Sequence, residues 1–185
     1  PQTVLPNFLA KVSAAGVTRF TIHARKAWLQ GLSPKENRDI PPLDYNIVHQ
    51  MKAEFPHLHI SINGGVTTLE QANELIEQGL DGVMIGRAAY HQPADILSDA
   101  DEFIFSDAKG QGVDAAIQAM LPYIENHLLN GGRLNQITRH MLGAFAGKPG
   151  ARRWRRHLSE FAHKDGAGPE TVLEALAKMR EVETA

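Results

Sequence analysis

Two short stretches carry residue types suited to binding an anion: Asn63-Gly64-Gly65 within "ISINGGVTT" and Gly86-Arg87 within "GVMIGRAAY". Glycines that close a hydrophobic run let backbone N–H groups approach a ligand with no Cβ in the way. A helix that opens just afterwards turns its positive end toward the same place, and an arginine adds a planar fork of donors matched to phosphate oxygens. Either pair alone also describes an ordinary tight turn. Both at successive strand ends, with an arginine, point to one phosphate group held between two chain turns.

His23 closes "TIHAR" and falls on the same rim, where a histidine serves either as a structural hydrogen-bonder or as a cofactor contact. Arg25 and Lys26 open the long loop that follows, and Lys35 and Arg38 lie further along it in "GLSPKENRDIPPL". Four cations at the mouth of a site suit an anionic substrate, although Glu36 and Asp39 dilute their field. The remaining histidines show no metal-ligand spacing: His57 and His59 alternate as in a strand, with no cysteine or carboxylate partner, so no metal is assigned.

The elements that must position these residues follow from the apolar period. Leu5, Phe8, Leu9 and Val12 fall at i, i+3, i+4 and i+7, one helical face with Gly16 as its stop. "VTRFTIHA" reads as a buried strand. The loop from about Ala24 to Pro42 exceeds the usual length of connections in a compact domain, roughly 12–15 residues, and so is expected to be functional. Ile47, Val48, Met51 and Phe55 form the next helical stripe, and "LHISI" is the second strand. Thr67 and Glu70 form a capping box before a helix running through Ala72, Leu75 and Ile76 to Gly79, and "DGVMIG" is the third strand. Alternating strands and helices at this spacing predict βα units with a parallel sheet whose strands are covered on both faces. No glycine-rich dinucleotide fingerprint follows the first strand, which argues against a doubly wound nucleotide fold.

From about Gln111 only helices are predicted: "VDAAIQAMLPYIENHLL", kinked at Pro122, then "LNQITRHMLGAFAG", "ARRWRRHLSEFAHK" and "PETVLEALAKMREVE". In the last of these Pro169 suits the first turn, and Val172, Ala175, Leu176 and Met179 make its buried stripe. The expected organisation is therefore α/β over residues 1–108 and an all-α domain over 109–185. Charge divides the same way, with 8 Lys/Arg against 13 Asp/Glu in the first part and 11 against 8 in the second. Arg133 to His157 holds seven Lys/Arg and no acid, which suits either a polyanion partner or a solvated face. There are no cysteines, so thiolate metal sites, disulfides and a cysteine nucleophile are excluded within these residues. Three β/α units are too few for a closed barrel, which needs eight over about 250 residues. They suit its last three, and on that reading roughly five units, on the order of 150 residues, precede Pro1.

The stretches "FTIHARKAWLQGLSPKENRDIPPL", "INGGVTTLE", "DGVMIGRAAYHQP" and "RHMLGAFAGKPGARRWRRHLSE" together resemble the tRNA-dihydrouridine synthase family, closest to its A subgroup. The asparagine–glycine and glycine–arginine motifs are shared by many flavin barrels; "HARKAWLQGLSPKENR" is the distinctive one. The resemblance implies the last three β/α units of a TIM (β/α)8 barrel followed by a helical tRNA-binding domain. It implies a cytoplasmic, FMN-dependent enzyme that uses NADPH to reduce the C5–C6 bond of uridines in the tRNA D-loop. His23, Asn63, Gly64, Gly65, Gly86 and Arg87 fall on the family's flavin-contacting motifs. Lys35, Arg38, Arg152, Arg155 and Arg156 resemble its RNA-binding positions. Trp154, between two arginine pairs, is read as the anchor of its helix, with stacking on a base as the other reading. The family donates a proton from a cysteine on a loop in the amino-terminal part of the barrel. None is present in this chain, so these residues alone are expected to be inactive, with impaired flavin binding. Two other readings compete: a flavin barrel acting on a small molecule of the dihydroorotate type, and a non-catalytic tRNA-binding module.

Overall fold

A computed structural model describes residues 4–28 and 30–181. Backbone contacts divide the chain into two compact units, residues 1–86 and 87–185.

The first unit is mixed α/β. Helix α1 (Val4–Ala14) leads into strand β1 (Arg19–His23), a loop with one 3-10 turn (Glu36–Arg38), and helix α2 (Tyr45–Glu54). Strand β2 (His59–Asn63), helix α3 (Leu69–Glu77) and strand β3 (Gly82–Met84) follow. The three strands are parallel in the order β1-β2-β3. The register pairs His23 with Asn63 and Asn63 with Met84, which sets those three residues in a row at the carboxyl ends of the strands.

Burial corrects the expectation that both faces of the sheet are covered. Ile22, Ile60 and Ile62 are buried, whereas Arg19, Thr21 and His23 are exposed and His59, Ser61 and Asn63 are only half-buried. Strands β1 and β2 do alternate, polar against apolar. Helices α2 and α3 pack on β2 and β3 and contribute buried Val48, Met51, Leu69, Ala72 and Leu75. On β1 and β2 the opposite face presents polar side chains instead, with Gly82 and exposed Met84 continuing it on β3. In α1 only Leu9 of the expected stripe is buried; Phe8 is exposed. At the amino end of the sheet Asp81 accepts from the Ile60 amide at 2.8 Å and from Lys52 Nζ at 2.7 Å. Burial alone would raise the Asp81 carboxyl, but these two hydrogen bonds and the charges of Lys52 and His59 hold it below its ordinary range.

The cap of α3 lies one residue beyond the expected position. Thr68 accepts from the Gln71 amide at 3.2 Å, and Gln71 Oε1, not Glu70, reaches back to the amide of Thr67 before the cap, at 2.9 Å.

The second unit is helical. Three short helices open it, α4 (Arg87–His91), α5 (Pro93–Leu97) and α6 (Ala100–Phe105), none of them foreseen from the sequence. Helix α7 (Gly112–Leu129) continues through Pro122. Helix α8 (Leu134–Thr138) is far shorter than the predicted segment. Buried Thr138 turns its hydroxyl back to the Leu134 carbonyl, and the chain proceeds in i→i+3 turns such as Met141 N–H to Thr138 O. Helices α9 (Ala151–Phe161) and α10 (Pro169–Arg180) pack side by side. Their core joins Trp154, Leu158, Val172, Ala175, Leu176 and Met179 to Ile117 and Ile124 of α7 and Leu134 and Ile137 of α8. Among the described residues no helix is long and apolar enough to cross a membrane.

Candidate functional site

The carboxyl ends of β1 and β2 bring His23 and Asn63 together. His23 Nδ1 lies 3.1 Å from the Asn63 carbonyl oxygen, which also accepts from the Ala24 amide at 2.8 Å. A carbonyl only accepts, so the neutral imidazole carries its proton on Nδ1 and a lone pair on Nε2. Among the described residues the Asn63 carboxamide has no hydrogen-bond partner, which leaves one acceptor and one two-donor group at the rim.

The turn that follows is glycine for reasons of packing. Gly64 has φ of +122° and Gly65 of +73°. A Cβ on Gly64 would sit 2.9 Å from His23 Nδ1 and 3.0 Å from Leu43 Cδ2, and one on Gly65 would sit 2.4 Å from Leu43 Cδ1. Tyr45, in the first turn of α2, donates its hydroxyl to the Gly64 carbonyl at 2.7 Å. Burial raises the Tyr45 phenol above its ordinary range against the opposing charge of Arg25, so the donor keeps its proton. Sequence reasoning missed Leu43 and Tyr45. The available signal was Asp44, whose carboxylate accepts from the Ile47 amide at 3.3 Å and starts α2 where it does.

Gly86 differs from these two. Among the described residues, its chain neighbours aside, no atom lies within 4 Å of where its Cβ would stand. Arg87 follows as the exposed first residue of α4. Within the first unit the carboxamide of Asn63 and the lone pair on His23 Nε2 are what the strand ends offer to a polar ligand.

The four cations of the long loop separate by role. Arg25 is spent on the loop itself: it donates to the Asp39 carbonyl at 2.9 Å and to the Pro41 carbonyl. Asn37 holds both backbone groups of Trp28, at 2.7 and 2.9 Å. Ser33 and Glu36 cap each other, at 2.7 and 3.3 Å, and the bonds from Ser33 lower the Glu36 carboxyl below its ordinary range. These bonds tie down the loop and leave Lys26, Lys35 and Arg38 exposed on it.

In the second unit α9 is two-faced. Ala151, Trp154, His157 and Leu158 point inward; Arg152, Arg153, Arg155 and Arg156 are exposed. Trp154 is fully buried, donates Nε1–H to the Met141 carbonyl at 3.0 Å and meets Phe145 edge-on, so it anchors the helix and is out of reach of a base. Arg153 pairs with Glu181 at 3.2 Å and Arg156 with Glu160 at 2.7 Å. Among the described residues Arg152 and Arg155 have no carboxylate partner. No group of three His, Cys, Asp or Glu among the described residues is placed to hold a metal ion.

The family model for dihydrouridine synthase (Dus) matches residues 2–181. A protein named tRNA-dihydrouridine(20/20a) synthase from Shewanella oneidensis is 60% identical over 169 residues, 91% of this chain and 50% of its own length. One of the same name from Vibrio cholerae is 55% identical over 177 residues, 95% of this chain and 54% of its own. A third, from Yersinia pestis, is 60% identical over 160 residues, 85% of this chain and 46% of its own. The chain spans about half the length of the curated relatives it matches. A match that runs almost from end to end covers the rim residues and the arginine helix alike, and on that ground the chain belongs to the dihydrouridine synthase family.

Proposed function

We propose that this chain supplies the carboxyl-terminal β/α units of a flavin-binding TIM barrel (residues 1–108) and a helical tRNA-binding domain (residues 109–185). The enzyme is a cytoplasmic, A-subgroup tRNA-dihydrouridine synthase that uses FMN and NADPH to reduce the C5–C6 bond of D-loop uridines. The observation that carries the reading is the identity of 55–60% to three tRNA-dihydrouridine(20/20a) synthases over most of this chain.

FMN, when bound, supplies the hydride chemistry. The residues of this chain hold and orient it. His23 Nε2 and the Asn63 carboxamide offer one acceptor and one mixed group to polar edges of the flavin. Gly64 and Gly65 shape the turn behind them, and Gly86 and Arg87 take the phosphate. A uracil in folded RNA must leave its stack to reach such a rim. That extraction needs a grip on the backbone, which Lys35, Arg38, Arg152, Arg155 and Arg156 provide. The thiol that gives the substrate its proton in this family is not among these residues, which include no cysteine.

Filter binding of the chain to unmodified tRNA across a salt series tests the reading. Affinity should fall log-linearly with salt as counterions are released. Affinity near zero at low salt would overturn it.

A further inference from the structure

Within the second unit three exposed side chains form a continuous relay. Tyr90, in α4, places its oxygen 2.7 Å from His140 Nδ1. On the other side of the imidazole, Arg139 Nε donates to His140 Nε2 at 2.9 Å. A guanidinium nitrogen only donates, so Nε2 is the acceptor and the neutral ring carries its proton on Nδ1, directed at the Tyr90 oxygen. The Arg139 guanidinium is thereby fixed at Nε while both Nη groups remain for a ligand.

The base of that arginine is fixed as well. Arg139 is the C-cap of α8, beside buried Ile137 and Thr138, and its amide donates to the Asn135 carbonyl at 3.2 Å. Gly143 lets the following turns close on α4: a Cβ there would fall 2.5 Å from the His91 carbonyl oxygen. Four other arginines of this unit lie beside a carboxylate, Arg133 by Asp165, Arg153 by Glu181, Arg156 by Glu160 and Arg180 by Asp114. Arg139 has no carboxylate partner among the described residues and lies in the acid-free stretch from Arg133 to His157.

We infer that Arg139 is a preorganised phosphodiester contact for RNA, its guanidinium aimed by His140 and, through it, by Tyr90. An exposed arginine normally loses rotamer freedom when it grips a phosphate; here much of that ordering is already in place. A fork with both Nη groups outward matches two oxygens of one phosphate. His140 and Tyr90 are positioning residues, and neither needs to touch the RNA. This inference deepens the tRNA-binding reading above and rests on it.

The test is filter binding of the 185-residue chain to unmodified tRNA over a salt series, with Arg139→Ala, Arg139→Lys, Tyr90→Phe and the double variant Tyr90→Phe/Arg139→Ala. Arg139→Ala should weaken binding about tenfold at low salt and lower the steepness of log K against log salt by about 0.7–0.9, one phosphate contact. Arg139→Lys should keep the slope and lose roughly threefold, since the charge stays and the fork does not. Tyr90→Phe should cost about threefold with the slope unchanged, and nothing further once Arg139 is gone. An unchanged slope in Arg139→Ala, or a Tyr90→Phe effect of equal size in both backgrounds, overturns the inference while tRNA binding by the parent chain stands. Failure of the parent chain itself to bind overturns both.

Discussion

The ring of His23 stands against the backbone of Gly64 so closely that a β-carbon on that glycine would lie 2.9 Å from Nδ1. The same imidazole nitrogen donates to the Asn63 carbonyl, one residue earlier. The glycine thus does two things at once. It adopts φ of +122°, outside the range L side chains occupy, and it leaves room for the histidine that closes β1.

Gly64→Ala should therefore cost at least ~2 kcal/mol of stability, from backbone strain and the collision with His23 and Leu43. Gly86→Ala should cost under ~1 kcal/mol, because among the described residues nothing beyond its chain neighbours stands near its Cβ and its φ is not positive. Urea denaturation of the two variants measures the difference. Equal losses would mean that the packing around His23 does not set the glycine requirement.

Trp154 is the centre of the helical core. Its indole is fully buried, and its N–H satisfies the Met141 carbonyl in the turn segment after α8. Trp154→Phe removes that donor and part of the ring, and should cost roughly 2–4 kcal/mol. The same variant should leave the salt dependence of tRNA binding unchanged so long as the fold persists, because the indole lies inside. Circular-dichroism melting beside filter binding separates the two effects. A specific loss of RNA affinity without loss of stability would return Trp154 to a stacking role.

What the sequence disclosed, and what it withheld, follows from how local each signal was. The stripe of α10 was legible because Pro169 opens it and four apolar residues recur at helical spacing, all buried. Helices α4 to α6 escaped because five or six residues give too little period to see. The run after Leu134 looked like one helix, since its apolar spacing is helical; Thr138 and the close approach of Gly143 to α4 end it early. The strand residues were legible but their faces were not, although Arg19, Thr21 and His23 already alternate with Phe20 and Ile22. At the rim, His23, Asn63 and the glycines were found by type. Their partners Leu43 and Tyr45 were not, because a loop and a helix about twenty residues away in sequence deliver them. Arg25 looked like part of a cationic mouth and instead ties the loop through backbone carbonyls, contacts with no sequence signature.

His157 makes stability depend on pH in a defined window. It is buried between α9 and α10, stacked on Phe161, with Lys178 Nζ 3.0 Å from Nδ1. Burial lowers its pKa below the ordinary histidine value and the charge of Lys178 lowers it further, against the opposing pull of Glu174 and Glu160. The unfolded chain therefore binds this proton more readily than the folded one. The stability is fully present above about pH 6.5 and is lost as pH falls from there toward the lowered folded value. The lowered carboxyls of Glu36, Asp81 and Glu160 act in a separate window at more acid pH. His157→Gln should flatten the melting temperature between pH 7 and pH 5.5 by on the order of 2–4 °C. An identical slope in the variant and the parent would remove His157 from this role.

On the outer face of α9 the arginines differ in what they already hold. Arg156 is engaged by Glu160 at 2.7 Å, whereas Arg152 and Arg155 meet no carboxylate among the described residues. A phosphate that recruits Arg156 has to compete with Glu160 for the guanidinium, and one that recruits Arg152 or Arg155 does not. Arg152→Ala and Arg155→Ala should each weaken tRNA binding several-fold and take about 0.7–0.9 off the salt slope. Arg156→Ala should do less, and Glu160→Gln should strengthen binding by releasing Arg156 and removing a negative charge. Filter binding of the four variants over one salt series decides it. A larger loss from Arg156→Ala than from the other two would show that Glu160 orients Arg156 for the RNA instead of occupying it.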